Sequence, residues 1–149
     1  MRFDIPTAMK AEHDELHNEL VHATKAGGQT GETAKAVAKV LHAHFVKEEA
    51  YALPPLGLLP ALAQGKFEPG MADVLAMTDK LEAELPQMLG EHKQIVAALE
   101  KLVAAAKAEQ RPDVVNFAEK LMMHALAEEQ VAYPTALLIG RYVRTRLAA

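Results

Sequence analysis

Two histidines and two glutamates recur in one pattern. His44 and Glu48 stand four residues apart in His44-Phe45-Val46-Lys47-Glu48-Glu49, and eighty positions later the chain repeats the arrangement as His124-Ala125-Leu126-Ala127-Glu128-Glu129. A proline follows each copy at the same distance, Pro54 and Pro134. Upstream of each copy is another histidine preceded by glutamate, Glu12-His13 and Glu91-His92. Four residues is slightly more than one helical turn, so on a helix both members of His-x-x-x-Glu leave the same face. The chain therefore reads as two copies of one unit, a histidine on one helix and His-x-x-x-Glu on the next.

Six such residues, His13, His44, Glu48, His92, His124 and Glu128, would point into the centre of a helical bundle. Burying them without partners costs on the order of several kcal/mol per charged group. A metal ion turns the same groups into ligands, and imidazole with carboxylate suits iron, manganese or zinc. Two carboxylates near a pseudo-twofold axis can bridge two ions, leaving two histidines for each. Six protein donors do not fill two octahedral shells, so open positions are expected, and open positions permit chemistry.

The elements that must position these residues are legible in composition and periodicity. Half of the 149 residues are hydrophobic, and aromatic residues make up only 5%. That balance favours helices over sheet. The length fits one domain, 1–149, with a real core. A formal charge of −4 and a pI near 6.0 argue against nucleic-acid binding. The short run Arg141, Arg144, Arg146 suits a helix C-terminus instead. The chain has no cysteine, which excludes disulfides, thiolate nucleophiles, zinc–thiolate sites and iron–sulfur clusters. No apolar run reaches the roughly 20 residues of a membrane span, and no signal core is visible, so a cytoplasmic protein is expected.

Taken in order, the pattern predicts a first helix from Pro6 to about Ala26, with Met9, His13, Leu16, His17 and Leu20 inward. Gly27-Gly28 ends it, and Thr30 is read as the N-cap of a second helix reaching about Ala52. On that helix Val37, Val40, Leu41, His44, Val46 and Glu48 are read as inward. Pro54-Pro55 stops it. The apolar stretch from Leu53 to Glu68 is expected to pack over one end of the bundle with a short turn of helix. Pro86 divides the next pattern into a short helix, 70–84, and a main third helix from 86 to about 108. A fourth helix, 112–133, carries Val114, Phe117, Leu121, His124 and Glu128 inward. Pro134 kinks or ends it before a short fifth helix from Thr135 to Leu147. The expected fold is all-α, an up-down-up-down four-helix bundle with a short additional C-terminal helix.

The order His, His-x-x-x-Glu, His, His-x-x-x-Glu over four helices resembles the hemerythrin-like (HHE cation-binding) domain. The local wording is similar too, in Glu12-His13-Asp14-Glu15-Leu16, Glu91-His92-Lys93-Gln94-Ile95 and Glu128-Glu129 with Tyr133-Pro134. The resemblance covers about residues 6–140. It implies a non-haem di-iron centre, oxo- or hydroxo-bridged, with Glu48 and Glu128 as carboxylate bridges, manganese or zinc ranking behind iron. It further implies a protein that binds and reacts with O2, peroxide or NO, in oxidative or nitrosative stress defence or iron handling. The alternative is a metal-dependent module that signals iron or oxygen through partner contacts. The expected partners are a small diatomic or peroxide, no nucleic acid and no membrane, on a monomer or small homo-oligomer.

The chain departs from the family's oxygen carriers, whose third helix supplies a second histidine where this chain has Val96. His17 is the nearest replacement ligand by sequence. It also lacks the cysteine-bearing part of the family's iron–sulfur-repair members. At spacing five, Glu49 and Glu129 rotate about 140° from their histidines, which assigns them to the surroundings of the site rather than to metal. His22 and His42 read as surface. Tyr51 and Tyr133 could donate to a bound oxygen species, with capping of the core weighed ahead of that role. Of the pair Met122-Met123, one is expected in the core and one outside.

Overall fold

The computed structural model describes residues 1–149 and contains no strand. α1 spans Thr7–Thr24 and α2 spans Gly28–Lys47. α2 runs without a break into a π-helical turn, Glu48–Ala52. A 3-10 turn, Pro54–Leu58, and a single-turn α3, Leu59–Ala63, follow. A second 3-10 turn, Pro69–Asp73, leads into α4, Val74–Ala108. α5, Pro112–Ala127, passes through a second π turn, Glu128–Ala132, into α6, Tyr133–Ala148. No helix is long and apolar enough to cross a membrane.

α1, α2, the second half of α4 and α5 form the antiparallel bundle. One apolar cluster fills one end: Leu16 and Leu20 of α1, Val37 and Leu41 of α2, Leu99 and Leu102 of α4, Phe117 and Leu121 of α5. A second fills the other end, with Leu53, Leu56, Leu81, Met88, Tyr133, Ile139 and Val143. On each long helix the metal-type residues fall between the two clusters. The polar layer is thus closed by apolar packing above and below, and the apolar stretch after Leu53 covers one end as expected.

Five expectations about the elements need correction. Pro86 does not divide α4, which is continuous over 35 residues. Proline inside a helix removes one hydrogen bond and costs about 3 kcal/mol. Here Pro86 and Glu82, the residue whose carbonyl it leaves free, are both exposed, while buried Leu81 and Met88 on either side hold the helix together. The C-terminal helix is likewise not separate. Pro134 sits directly after the second π turn, and Tyr133 N–H has already bonded to the Glu128 carbonyl in the i→i+5 pattern, so α5 and α6 continue as one rod. After the first π turn two successive prolines, Pro54 and Pro55, remove two successive donors, and only a 3-10 turn follows.

Thr30 is not the cap of α2, which begins two residues earlier. The orphan N–H groups of Gln29 and Thr30 donate instead to Glu109, at the far end of α4, at 3.1 and 2.7 Å. Gly28 is required there, because its φ is +57° and a Cβ would collide with that carboxylate. Finally, Val46 is 58% exposed and Phe45 is the buried neighbour of His44. Of the three C-terminal arginines only Arg146 lies in the last turn of α6, whereas Arg141 and Arg144 pair with Glu82 and Asp79, tying α6 to α4 at the surface.

Candidate metal centre

All six residues singled out by spacing lie in the polar layer, and none is more than 7% exposed. Their inward atoms form two groups. Nε2 of His44 lies 3.4 Å from Glu48 Oε2, and Nε2 of His92 lies 3.3 Å from Glu128 Oε1. Nε2 of His13 lies 3.7 Å from Glu48 Oε1 and 3.4 Å from Glu128 Oε2, while Nε2 of His124 is 3.1 Å from that same Glu128 oxygen. Each carboxylate therefore turns one oxygen to each histidine pair. The donor atoms of His44, Glu48, His92 and Glu128 all lie within 4.8 Å of one another, as do those of His13, His124 and Glu128.

The other nitrogen of every imidazole faces a second glutamate. His13 Nδ1 is 3.1 Å from Glu49, His44 Nδ1 2.9 Å from Glu91, His92 Nδ1 3.0 Å from Glu129 and His124 Nδ1 2.5 Å from Glu12. An Nδ1–H donated to a carboxylate leaves Nε2 as the inward donor and raises its basicity. Two of these contacts stay within one copy of the repeat and two cross between copies, so the same glutamates that orient the rings lock the halves together. Glu49 and Glu129 sit beside the site as expected. Glu12 and Glu91 were missed as partners, although the repeated Glu-His dipeptide was the signal. Phe45 stacks on His13 at 4.1 Å between centroids.

His17 is not among these residues. It is exposed and faces the equally exposed His42, ring centroids 6.4 Å apart. The buried stripe of α1 runs through His13, Leu16, Leu20 and Ala23, which leaves His17 outside it. His17→Ala is expected to leave metal content unchanged and to shift stability by less than about 0.5 kcal/mol, measured by elemental analysis and a thermal melt. Met122 and Met123 divide between core edge and solvent, the latter 64% exposed.

Tyr133 is part of the centre, whereas Tyr51 is not. Tyr51 donates its hydroxyl to Met88 Sδ at 3.6 Å, away from the polar layer. Tyr133 is fully buried, donates to Glu48 Oε2 at 2.5 Å, and lies 3.1 and 3.3 Å from Nε2 of His92 and His44. The π turn explains its placement. Five residues along a regular α-helix turn a side chain about 140° away. An i→i+5 turn instead returns residue 133 above residue 128.

The electrostatics of the layer are dominated by its buried carboxylates. Burial, followed by the neighbouring Glu128 carboxylate, raises Glu48 to about 7. Glu128 is held low against burial by hydrogen bonds from Glu48 and from His124, His13 and His92. Of two carboxylates buried at one site, one is thus pushed up and the other held down, because like charges resist joint ionisation. Burial opposes charge on His124, but Glu128 and Glu12 outweigh it and raise the ring to about 9. His13 and His44 are raised in the same way, against burial, by the glutamates around them. Glu91 is held at about 2, against burial, by Lys47 and His44. Three buried side-chain atoms lack a well-directed hydrogen bond, and two of them are at the centre: Glu48 Oε1, and His124 Nε2, which is close to Glu128 Oε2 but not aligned with it. Oriented imidazoles, paired carboxylates and orphaned inward atoms are what a bound metal would satisfy.

The family model for the hemerythrin HHE cation binding domain matches residues 4–136. The chain belongs to the hemerythrin HHE cation-binding family. The all-helical bundle is consistent with that family's fold, and the His/Glu layer accords with a metal-binding domain. No curated protein and no solved structure matches the chain. Val96 stands half-buried on α4, one turn after His92.

Proposed function

We propose that His13, His44, Glu48, His92, His124 and Glu128 hold two iron ions, with both carboxylates bridging, and that this centre binds and reacts with O2, peroxide or NO. The observation that carries the reading is the division of donors: two histidine pairs, each reached by one oxygen of Glu48 and one of Glu128. Iron held there supplies open coordination positions that bind and polarise a small oxygen or nitrogen species.

The rest is done by the chain. Glu12, Glu49, Glu91 and Glu129 fix the four rings with Nε2 inward. Lys10 and Lys47 in turn hold Glu49 and Glu91 at 2.8 and 2.5 Å. The apolar clusters above and below limit water. Val96 in place of a further histidine supports a site that consumes a small oxidant rather than one that carries O2, and with it a role in oxidative or nitrosative stress defence.

Iron-loaded protein is expected to remove hydrogen peroxide from solution with repeated turnover, two molecules giving water and O2, or NO when a reductant is added to supply the electrons, measured with an electrode. Glu48→Ala should abolish removal. If the loaded native chain consumes neither, the reactive reading fails and a sensing role through partner contacts takes its place.

A further inference from the structure

The two histidine pairs come from repeated sequence, yet the centre is not symmetric. Around His44 and His92 the inward atoms share a third protein oxygen, Tyr133 Oη, 3.3 and 3.1 Å from the two Nε2 atoms and 2.5 Å from Glu48 Oε2. Around His13 and His124 no protein atom plays that part. Of the three buried side-chain atoms without a directed hydrogen bond, two lie on that second side: His124 Nε2 itself and Glu48 Oε1, which faces His13 Nε2 at 3.7 Å. The repeat shows why. Eighty positions before Tyr133, directly after the first π turn, stands Leu53, which has no donor atom.

Access is uneven in the same sense. A cavity of about 340 Å³ between α1, the 54–58 turn and the second π turn has His124 and Glu128 in its floor. Met9, Leu56, Leu59 and Val131 give it an apolar wall. A hollow also touches His92, but beside Glu129, on the Nδ1 side of the ring. Nε2 of His92 is covered by Tyr133.

We propose that Tyr133 Oη is a protein ligand of the metal ion held by His44 and His92, so that small exogenous molecules bind the ion held by His13 and His124, entering through the apolar cavity. This rests on the two-iron reading above. Phenolate is a hard oxygen donor suited to ferric iron, and like any acidic ligand it gives up its proton on binding. The carboxylates that hold the phenol proton in the metal-free chain are the groups whose charge the cation cancels. An apolar entrance favours uncharged diatomics and peroxide over larger anions.

The test uses the full chain loaded with ferric iron, native and Tyr133→Phe, with iron content, visible absorption and resonance Raman scattering, and azide as the probe ligand. The native chain should show a visible charge-transfer band with phenolate ring modes and take up about one azide per chain. Tyr133→Phe keeps the buried ring; it should lose those modes and take up about two. Val131→Trp, at an exposed rim position, should slow azide binding severalfold at unchanged iron content. Native protein with two irons but no phenolate modes, or modes that survive in Tyr133→Phe, overturns the ligand assignment and leaves the two-iron reading standing. An unchanged azide rate in Val131→Trp overturns the entry route. Native protein that takes up no iron overturns both readings. Should Tyr133→Phe fail to fold, the native spectrum alone decides.

Discussion

Glu128→Ala is expected to strip the chain of metal, from about two ions to fewer than one per chain, whereas Glu129→Ala should weaken binding only about 10–100-fold. The contrast follows from geometry. Glu128 approaches Nε2 of His92 with one oxygen and Nε2 of both His13 and His124 with the other, so its removal opens both positions. Glu129 touches only the outer nitrogen of His92. Glu48→Ala should behave like Glu128→Ala, and Glu49→Ala like Glu129→Ala. Metal content after dialysis against a weak chelator reads the difference. If the two members of each pair behave alike, the assignment of inner and outer glutamates is wrong.

The second large effect is on stability, and its sign depends on the metal. In the metal-free chain His13, His44 and His124 are raised above the ordinary histidine value of 6.5, so their contribution is full below that pH and is lost as pH rises through their folded values, about 9 for His124. Glu48, raised from 4.5 to about 7, acts in the same direction between those values, because the folded state holds its proton longer. Glu49, Glu91 and Glu128 are depressed and lose their contribution only in acid, as pH falls through their folded values. Metal-free protein should therefore be most stable in mild acid and weaken toward pH 9.

Metal reverses the slope. Protons compete with the ion for imidazole and carboxylate, so the stabilisation it gives grows as pH rises. At about 1,000 times the dissociation constant each site adds about 4 kcal/mol. With about 2–4 °C of melting temperature per kcal/mol for a chain of this size, the loaded form should melt on the order of 20 °C higher near pH 8, and far less near pH 5. Thermal melts of chelated and iron-loaded protein across that range check both slopes. Parallel curves would mean that the buried layer does not take up metal.

The parts of this molecule legible in its sequence are those governed by regular helical spacing. Spacing four placed His44 with Glu48 and His124 with Glu128, and the repeated unit gave the helix order and the buried layer. The harder parts involve departures from that spacing. A π turn leaves no period of its own, so neither the continuity of α5 into α6 nor the return of Tyr133 to the site could be read from an α-helical wheel. Pro86 reads as a break, because sequence does not say that its face meets water and that burial on either side holds α4 together. His17 fails by a small rotation at the edge of a stripe, where tertiary packing decides. Glu12 and Glu91 needed the knowledge of which helices face one another. Their repetition before His13 and His92 marked them, but two of the four contacts cross between copies.

Two iron ions held by six side chains are the core of the proposed function. Elemental analysis of freshly purified protein, without added metal, tests it most directly. About two metal ions per chain, chiefly iron, are expected. One tightly held zinc with no iron, or a chain whose metal content is unchanged by Glu128→Ala, would contradict it.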